Sequence, residues 1–107
     1  MKKIEAFIKA HRLDDVTLAL HHVEGLTGMT VSEARGFGRG RGAEHNPDDF
    51  HQVVRIEVFC ADALADKVVQ TIEHAGHTGL RGDGKVYVLP VEQAVRISSG
   101  ERGEVAV

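Results

Sequence analysis

The sequence predicts an α+β domain in the order strand, helix, strand, long loop, strand, helix, strand. Three observations carry this reading. Apolar residues alternate at period two in two stretches, and they recur at helical spacing in two others. The two halves also echo each other: each helical pattern is followed by a Thr-Gly pair, Thr27-Gly28 and then Thr78-Gly79, and each pair leads to a strand. That order is the split βαβ, or ferredoxin-like, plan. At 107 residues the chain is one domain, residues 1–107, with enough length for a modest core.

Residues 2–9 form the first strand, with Ile4, Ala6 and Ile8 on one face. Ala10-His11-Arg12 breaks it. Leu13, Val16, Leu20 and Val23 then mark a helix with Asp14 and Asp15 in its first turn, where the helix dipole favours acids. It ends near Glu24-Gly25. His21 and His22 are adjacent on it and point about 100° apart, so they read as solvated rather than as a metal pair. The second strand starts at residues 27–31 and runs towards Arg35. A third, residues 52–60, places Val54, Ile56, Val58 and Cys60 on one face. Asp62 is the predicted cap of the second helix, whose stripe is Leu64, Val68 and Ile72 with Ala65 and Val69. The fourth strand covers residues 86–89, and Pro90 stops it. Ala94-Val95-Arg96-Ile97 reads as a short edge strand, and the polar, glycine-containing tail from Ser98 as mobile unless a ligand or neighbour holds it. The helices cover one sheet face. Alternating apolar residues on the strands predict that other subunits cover the second.

Net charge is −3, which gives no general field for nucleic acid. The one cysteine, Cys60, lies on an apolar strand face and reads as a buried structural thiol in a reducing compartment. No secretory h-region and no apolar run of about 20 residues is present. These features predict a soluble, cytoplasmic chain.

Two glycine-rich stretches carry the chemistry. Residues 78–85, Thr78-Gly79-Leu80-Arg81-Gly82-Asp83-Gly84-Lys85, combine tight-turning glycines with two cations. Consecutive amides in such a turn make an anion-binding concavity, so the stretch reads as a phosphate or carboxylate cradle. It reads equally as a tight helix-to-strand connection with solvated charges. It is not a P-loop: Val86 stands where Ser or Thr would bind Mg²⁺, and the order is helix, loop, strand. The second stretch, residues 36–42, has glycine at every second place. It is no dinucleotide fingerprint, because Arg41 takes the third glycine position and no helix follows. With Pro47-Asp48-Asp49 it makes a loop long enough to be functional. RGG-like RNA binding is a thin alternative for so short a run with one Phe.

Residues 1–6, Leu13-Asp14-Asp15-Val16, residues 27–31, Gly36-Phe37-Gly38-Arg39, and Thr78-Gly79 with Gly82-Asp83-Gly84-Lys85-Val86 together resemble the PII signal-transduction proteins, the nitrogen regulatory proteins P-II. The likeness spans nearly the whole chain. It implies a homotrimer that binds ATP, ADP or AMP, with or without Mg²⁺, in clefts between subunits, and that needs no cofactor. It implies that residues 78–85 are the phosphate-holding B-loop. Residues 38–52 would be the T-loop, with Gly36, Phe37, Gly38 and Arg39 at its base near the nucleotide. Thr30 would read the adenine. Arg96, in a C-terminal loop of residues 96–107, would reach the phosphates. The implied role is regulation of a membrane transporter or metabolic enzyme through the T-loop, not catalysis.

The departures are local. Gly40 and Val53 stand where the nitrogen regulators use glutamine for Mg²⁺ and 2-oxoglutarate and lysine for the 2-oxoglutarate carboxylate. Neither residue supplies a metal ligand or a cation, which argues against a 2-oxoglutarate response. The T-loop is short and lacks tyrosine, which argues against uridylylation; Tyr87 is in a strand. Ser98 replaces a second phosphate-binding arginine. One lost charge-assisted bond weakens triphosphate binding by about 1.5–3 kcal/mol, roughly ten- to hundredfold, which favours ADP and AMP in competition. Arg102, later in the same segment, is the candidate replacement.

Two rival readings compete with this one. An enzyme lacks any Ser/His/Asp or Cys/His pairing at usable spacing, and no general base stands out beside Arg81 and Lys85. A metal-binding trimer of the CutA type would use His45, Asp48, Asp49 and His51, residue types that suit Zn²⁺. A hydrophilic loop explains the same four residues, and the CutA proteins lack the Gly-Asp-Gly-Lys run.

Overall fold

Apolar alternation decides the layers. In a computed structural model, which describes residues 1–38 and 50–107, six main elements alternate as expected: β1 (Lys2–Ile8), α1 (Leu13–His21), β2 (Thr30–Gly36), β3 (His51–Cys60), α2 (Asp62–Gly76) and β4 (Gly84–Pro90). The sheet is antiparallel, in the order β2-β3-β1-β4. This is the ferredoxin-like arrangement that the sequence predicts.

Ile4, Ala6 and Ile8 of β1 and Val54, Ile56, Val58 and Cys60 of β3 face the helices. Val16 and Leu20 of α1 and Ala65, Val68 and Ile72 of α2 close over them. Cys60 is buried, and that burial pushes its thiol pKa up. Gly76 ends α2 against the core, where an added Cβ would be in ordinary van der Waals contact with Ile8 at 3.7 Å and Val16 at 3.8 Å.

Several boundaries differ from the sequence expectation. Helix α1 stops at His21 rather than near Glu24, and Val23 is buried from a following turn that Gly25 closes at φ +89°. Strand β2 starts at Thr30, not Thr27. Asp62 does not cap α2: Ala61 holds the cap position without a side-chain bond, and the Asp62 carboxylate pairs with the Met1 amino nitrogen at 2.7 Å. That hydrogen bond holds the carboxyl below its ordinary range. Strand β4 begins at Gly84, two residues early, because the glycine loop itself enters the sheet beside Ile8.

The expected edge strand at Ala94-Val95-Arg96-Ile97 is absent. A hairpin takes its place, with one bridge between Val95 and Arg102. The Arg96 amide donates to the Glu101 carbonyl at 2.8 Å, and the Gly103 amide to the Ala94 carbonyl at 2.9 Å. A short 3₁₀ turn, Glu104–Ala106, follows. The tail expected to be loose is therefore hydrogen-bonded to itself, because Gly100 and Gly103 turn the chain at φ +74° and +81°.

The open sheet face also departs from expectation. It is not simply apolar. Lys3 pairs with Glu5 at 2.8 Å and Glu57 at 3.1 Å, and Arg55 with Glu57 at 3.4 Å. Arg55 also donates to Ser32 at 3.1 Å. Hydrogen bonds to Glu5 and then Glu57 raise the Lys3 pKa. Phe7 and Tyr87 flank this charged strip at one end, and Phe59 and Leu89 at the other.

Candidate functional site: a glycine loop and two clefts

The glycine loop is built on one carboxylate. Asp83 accepts from the Thr78 hydroxyl, from the Thr78 amide at 2.8 Å and from the Gly79 amide at 3.3 Å. Lys9 Nζ lies 3.1 Å from its other oxygen, and His77 Nδ1 lies 3.6 Å away. Thr78 Oγ accepts in turn from the Leu80 amide at 3.1 Å. The Thr78 bonds, with Lys9 behind them, hold the Asp83 carboxyl far below the usual carboxylate range. Asp83, expected among the ligand-contacting residues, thus has its side chain turned into the loop. What it leaves for a ligand is its backbone.

Gly84 shows why this turn needs glycine. Its φ is +103°, and a Cβ there would fall 1.7 Å from the Phe7 carbonyl oxygen. The loop therefore lies directly on the end of β1. Lys85 follows, exposed, and its ammonium pairs with none of the described residues.

The site residues expected from the sequence fall into two clefts. One, of about 480 Å³, brings Gly36, Phe37 and Gly38 together with Gly82, Asp83, Gly84 and Lys85. Phe7, Val53 and Tyr87 supply its apolar wall, and His51 lies at its edge. The other, of about 590 Å³, brings Thr30 together with Arg96. Thr30 and Glu57 are directly opposite in the β2–β3 register, and both line this second cleft, as does Phe59. The register places the clefts at opposite ends of the sheet. Gly36, His51, Ile8 and Gly84 share one end, and Thr30 and Glu57 lie towards the other. Thr30 and Gly36 are six residue steps apart along β2, roughly 20 Å.

Sequence reasoning placed Thr78 in the loop but not its bonds to Asp83, and it missed Lys9, His77 and the wall residues Phe7, Glu57 and Phe59. The Thr78 to Asp83 spacing was visible, but only the fold brings Lys9 to it. Arg39, Gly40, His45, Asp48 and Asp49 lie outside the described residues. His51 is the first residue of β3, opposite Gly36. Among the described residues no three His, Cys, Asp or Glu side chains converge as metal ligands, and no helix is long and apolar enough to cross a membrane.

A ferredoxin-like domain with a braced glycine loop at one sheet end and a polar cleft at the other defines the class. The profile of the family described as "Nitrogen regulatory protein P-II" matches residues 1–101. The Azospirillum brasilense "Nitrogen regulatory protein P-II" is 50% identical over 114 aligned positions that cover all of both chains, and that of Rhodospirillum rubrum is 48% identical with the same coverage. The solved Arabidopsis thaliana PII, in a structure described as bound to citrate, superposes with a TM-score of 0.85 at 38% identity, covering 99% of this chain and 91% of its own. The chain therefore belongs to the nitrogen regulatory protein P-II family of signalling proteins.

Proposed function

We propose that this chain is a nucleotide-responsive regulator rather than an enzyme, assembling as a homotrimer with ATP, ADP or AMP bound between copies. The observation that carries this reading is the division of its expected ligand residues between two clefts at opposite sheet ends. One cleft has the glycine amides and the free Lys85 cation, suited to phosphates. The other has Thr30 to read a base edge and Arg96, whose guanidinium pairs with none of the described residues. A roughly 20 Å strand separates them within one chain. When the phosphate end of one copy meets the base end of the next, the two halves complete one site. A cyclic, head-to-tail contact of this kind closes a ring.

In this reading Gly36, Phe37, Gly38 and Arg39 border the phosphates. The backbones of Gly82, Asp83 and Gly84 cradle them, with Lys85 neutralising charge. The bound nucleotide controls contact with a membrane transporter or a metabolic enzyme through residues 38–52, of which 39–49 lie outside the described residues. A ligand shifts such an equilibrium only by its differential contacts with the two states. Mg²⁺ accompanies the triphosphate. Val53 gives the first cleft an apolar wall where a carboxylate-binding cation would be needed, so 2-oxoglutarate is not an effector.

Isothermal titration of the purified protein with ATP, ADP and AMP tests this, each with and without Mg²⁺ and 2-oxoglutarate. Citrate is a useful competitor, since the Arabidopsis protein was solved with that anion. The expected result is nucleotide binding that 2-oxoglutarate leaves unchanged. Absence of nucleotide binding would overturn the proposal, and binding strengthened by 2-oxoglutarate would overturn its effector assignment.

A further inference from the structure

The connection between β1 and α1 does more than join two elements. Lys9 and Arg12 both reach across to the segment that leaves α2. Arg12 donates from Nε and Nη2 to the Ala75 carbonyl, at 3.0 and 2.6 Å. That carbonyl is in the last turn of α2, where helix carbonyls lack intrahelical donors. Arg12 Nη1 is itself held by Asp15 at 2.9 Å. Lys9 Nζ then bonds the Thr78 hydroxyl at 3.3 Å and the Asp83 carboxylate at 3.1 Å. Its side chain is only 18% exposed, and that of Asp83 22%. A lysine so enclosed is held by its partners. The two cations therefore grip the glycine loop at its entry and at its central carboxylate, while Gly84 fits against β1 on the far side.

We propose that Lys9 and Arg12 form a clamp that fixes the glycine loop in a single conformation, and that Lys9 is a positioning residue for the anion the loop receives. Lys9 does not touch that anion. It neutralises Asp83, so that the carboxylate can hold the Thr78 and Gly79 amides without opposing a phosphate nearby. It also leaves Lys85 as the unshared cation of the loop. The ligand's identity rests on the nucleotide reading above; the clamp itself does not.

The test uses Lys9→Met, which keeps the side-chain stem, and Lys9→Arg, which restores the charge. Amide hydrogen exchange is followed in the full chain without ligand, and ATP affinity is measured by titration. For Lys9→Met we expect faster exchange at Thr78 and Gly79 with β1 and β3 unchanged, and affinity for ATP lowered about tenfold. Lys9→Arg restores both. Unchanged exchange at Thr78 and Gly79 would overturn the clamp, and so would acceleration spread evenly over the sheet. Faster local exchange with full ATP affinity would overturn the positioning role. If the unmodified protein binds no ATP, the nucleotide reading fails, and the exchange comparison still decides the clamp.

Discussion

Gly84 and Asp83 stand next to each other and do opposite things. Gly84 must have no side chain, because the Phe7 carbonyl occupies the space. Gly84→Ala should cost about 3 kcal/mol or more, from overpacking added to a strained positive φ, and urea denaturation would measure it. Asp83 must have its side chain ionised. Its folded pKa lies below the unfolded value of about 3.9. The stability it contributes is therefore present above about pH 4 and is lost as pH falls towards the folded value. Asp83→Asn should unfold at lower urea concentration than the unmodified protein at pH 7, and the gap should narrow at pH 3. A gap that stayed constant would show that the carboxylate charge does not hold the loop. At this scale the sequence was only partly legible. The glycines and cations of residues 78–85 pointed to an anion loop, since glycine spacing is a local signal. The inward turn of Asp83 was not readable, because the Thr78 to Asp83 spacing does not by itself specify a bond and Lys9, distant in sequence, is brought to the carboxylate by the fold.

The elements were more legible than the site. Alternation placed β1 and β3 correctly, because one face of each is buried and a register slip would expose it. The errors are at the ends. Asp62 looked like a cap, but Ala61 holds that position. The hairpin after Pro90 was misread as an edge strand because its pairing partner, residues 101–103, is polar and carries no alternation. The core itself gives a direct prediction. Leu20 of α1 and Ile72 of α2 are almost wholly buried, so truncating either to Ala should cost about 2–5 kcal/mol. Chemical denaturation reads this, and the fold should survive with ferredoxin-like circular dichroism. Leu18, exposed on α1, is the control and should tolerate Ala with little change.

At the scale of the whole molecule, the uncovered sheet face and the two clefts bear on the same question. The face combines aromatic ends with a central Lys3-Glu5-Glu57-Arg55 strip. A purely apolar face would associate in many registers, whereas a charged strip admits few. Periodicity showed that the face lacked a cover but could not show its charge pairing, which arises between strands. Half of the residues are shared with bacterial nitrogen regulators, so the expected departures at Gly40, Val53 and Ser98 are local changes in a retained frame. Val53→Lys should give the first cleft a cation and introduce a 2-oxoglutarate effect on ATP affinity, which titration of the variant would detect.

The central claim is that each ligand site takes one half from each of two chains. Lys85→Ala disables the glycine-loop half and Arg96→Ala the half that carries Thr30, and each variant alone should lose most ATP affinity. Co-expressed, the two variants form mixed assemblies in which some junctions pair an intact Lys85 with an intact Arg96. ATP titration of the purified mixed assemblies is therefore the decisive measurement. The account predicts that a fraction of the sites regains the affinity of the unmodified protein. Mixed assemblies that bind ATP no better than the separate variants would contradict it and return both halves to a single chain.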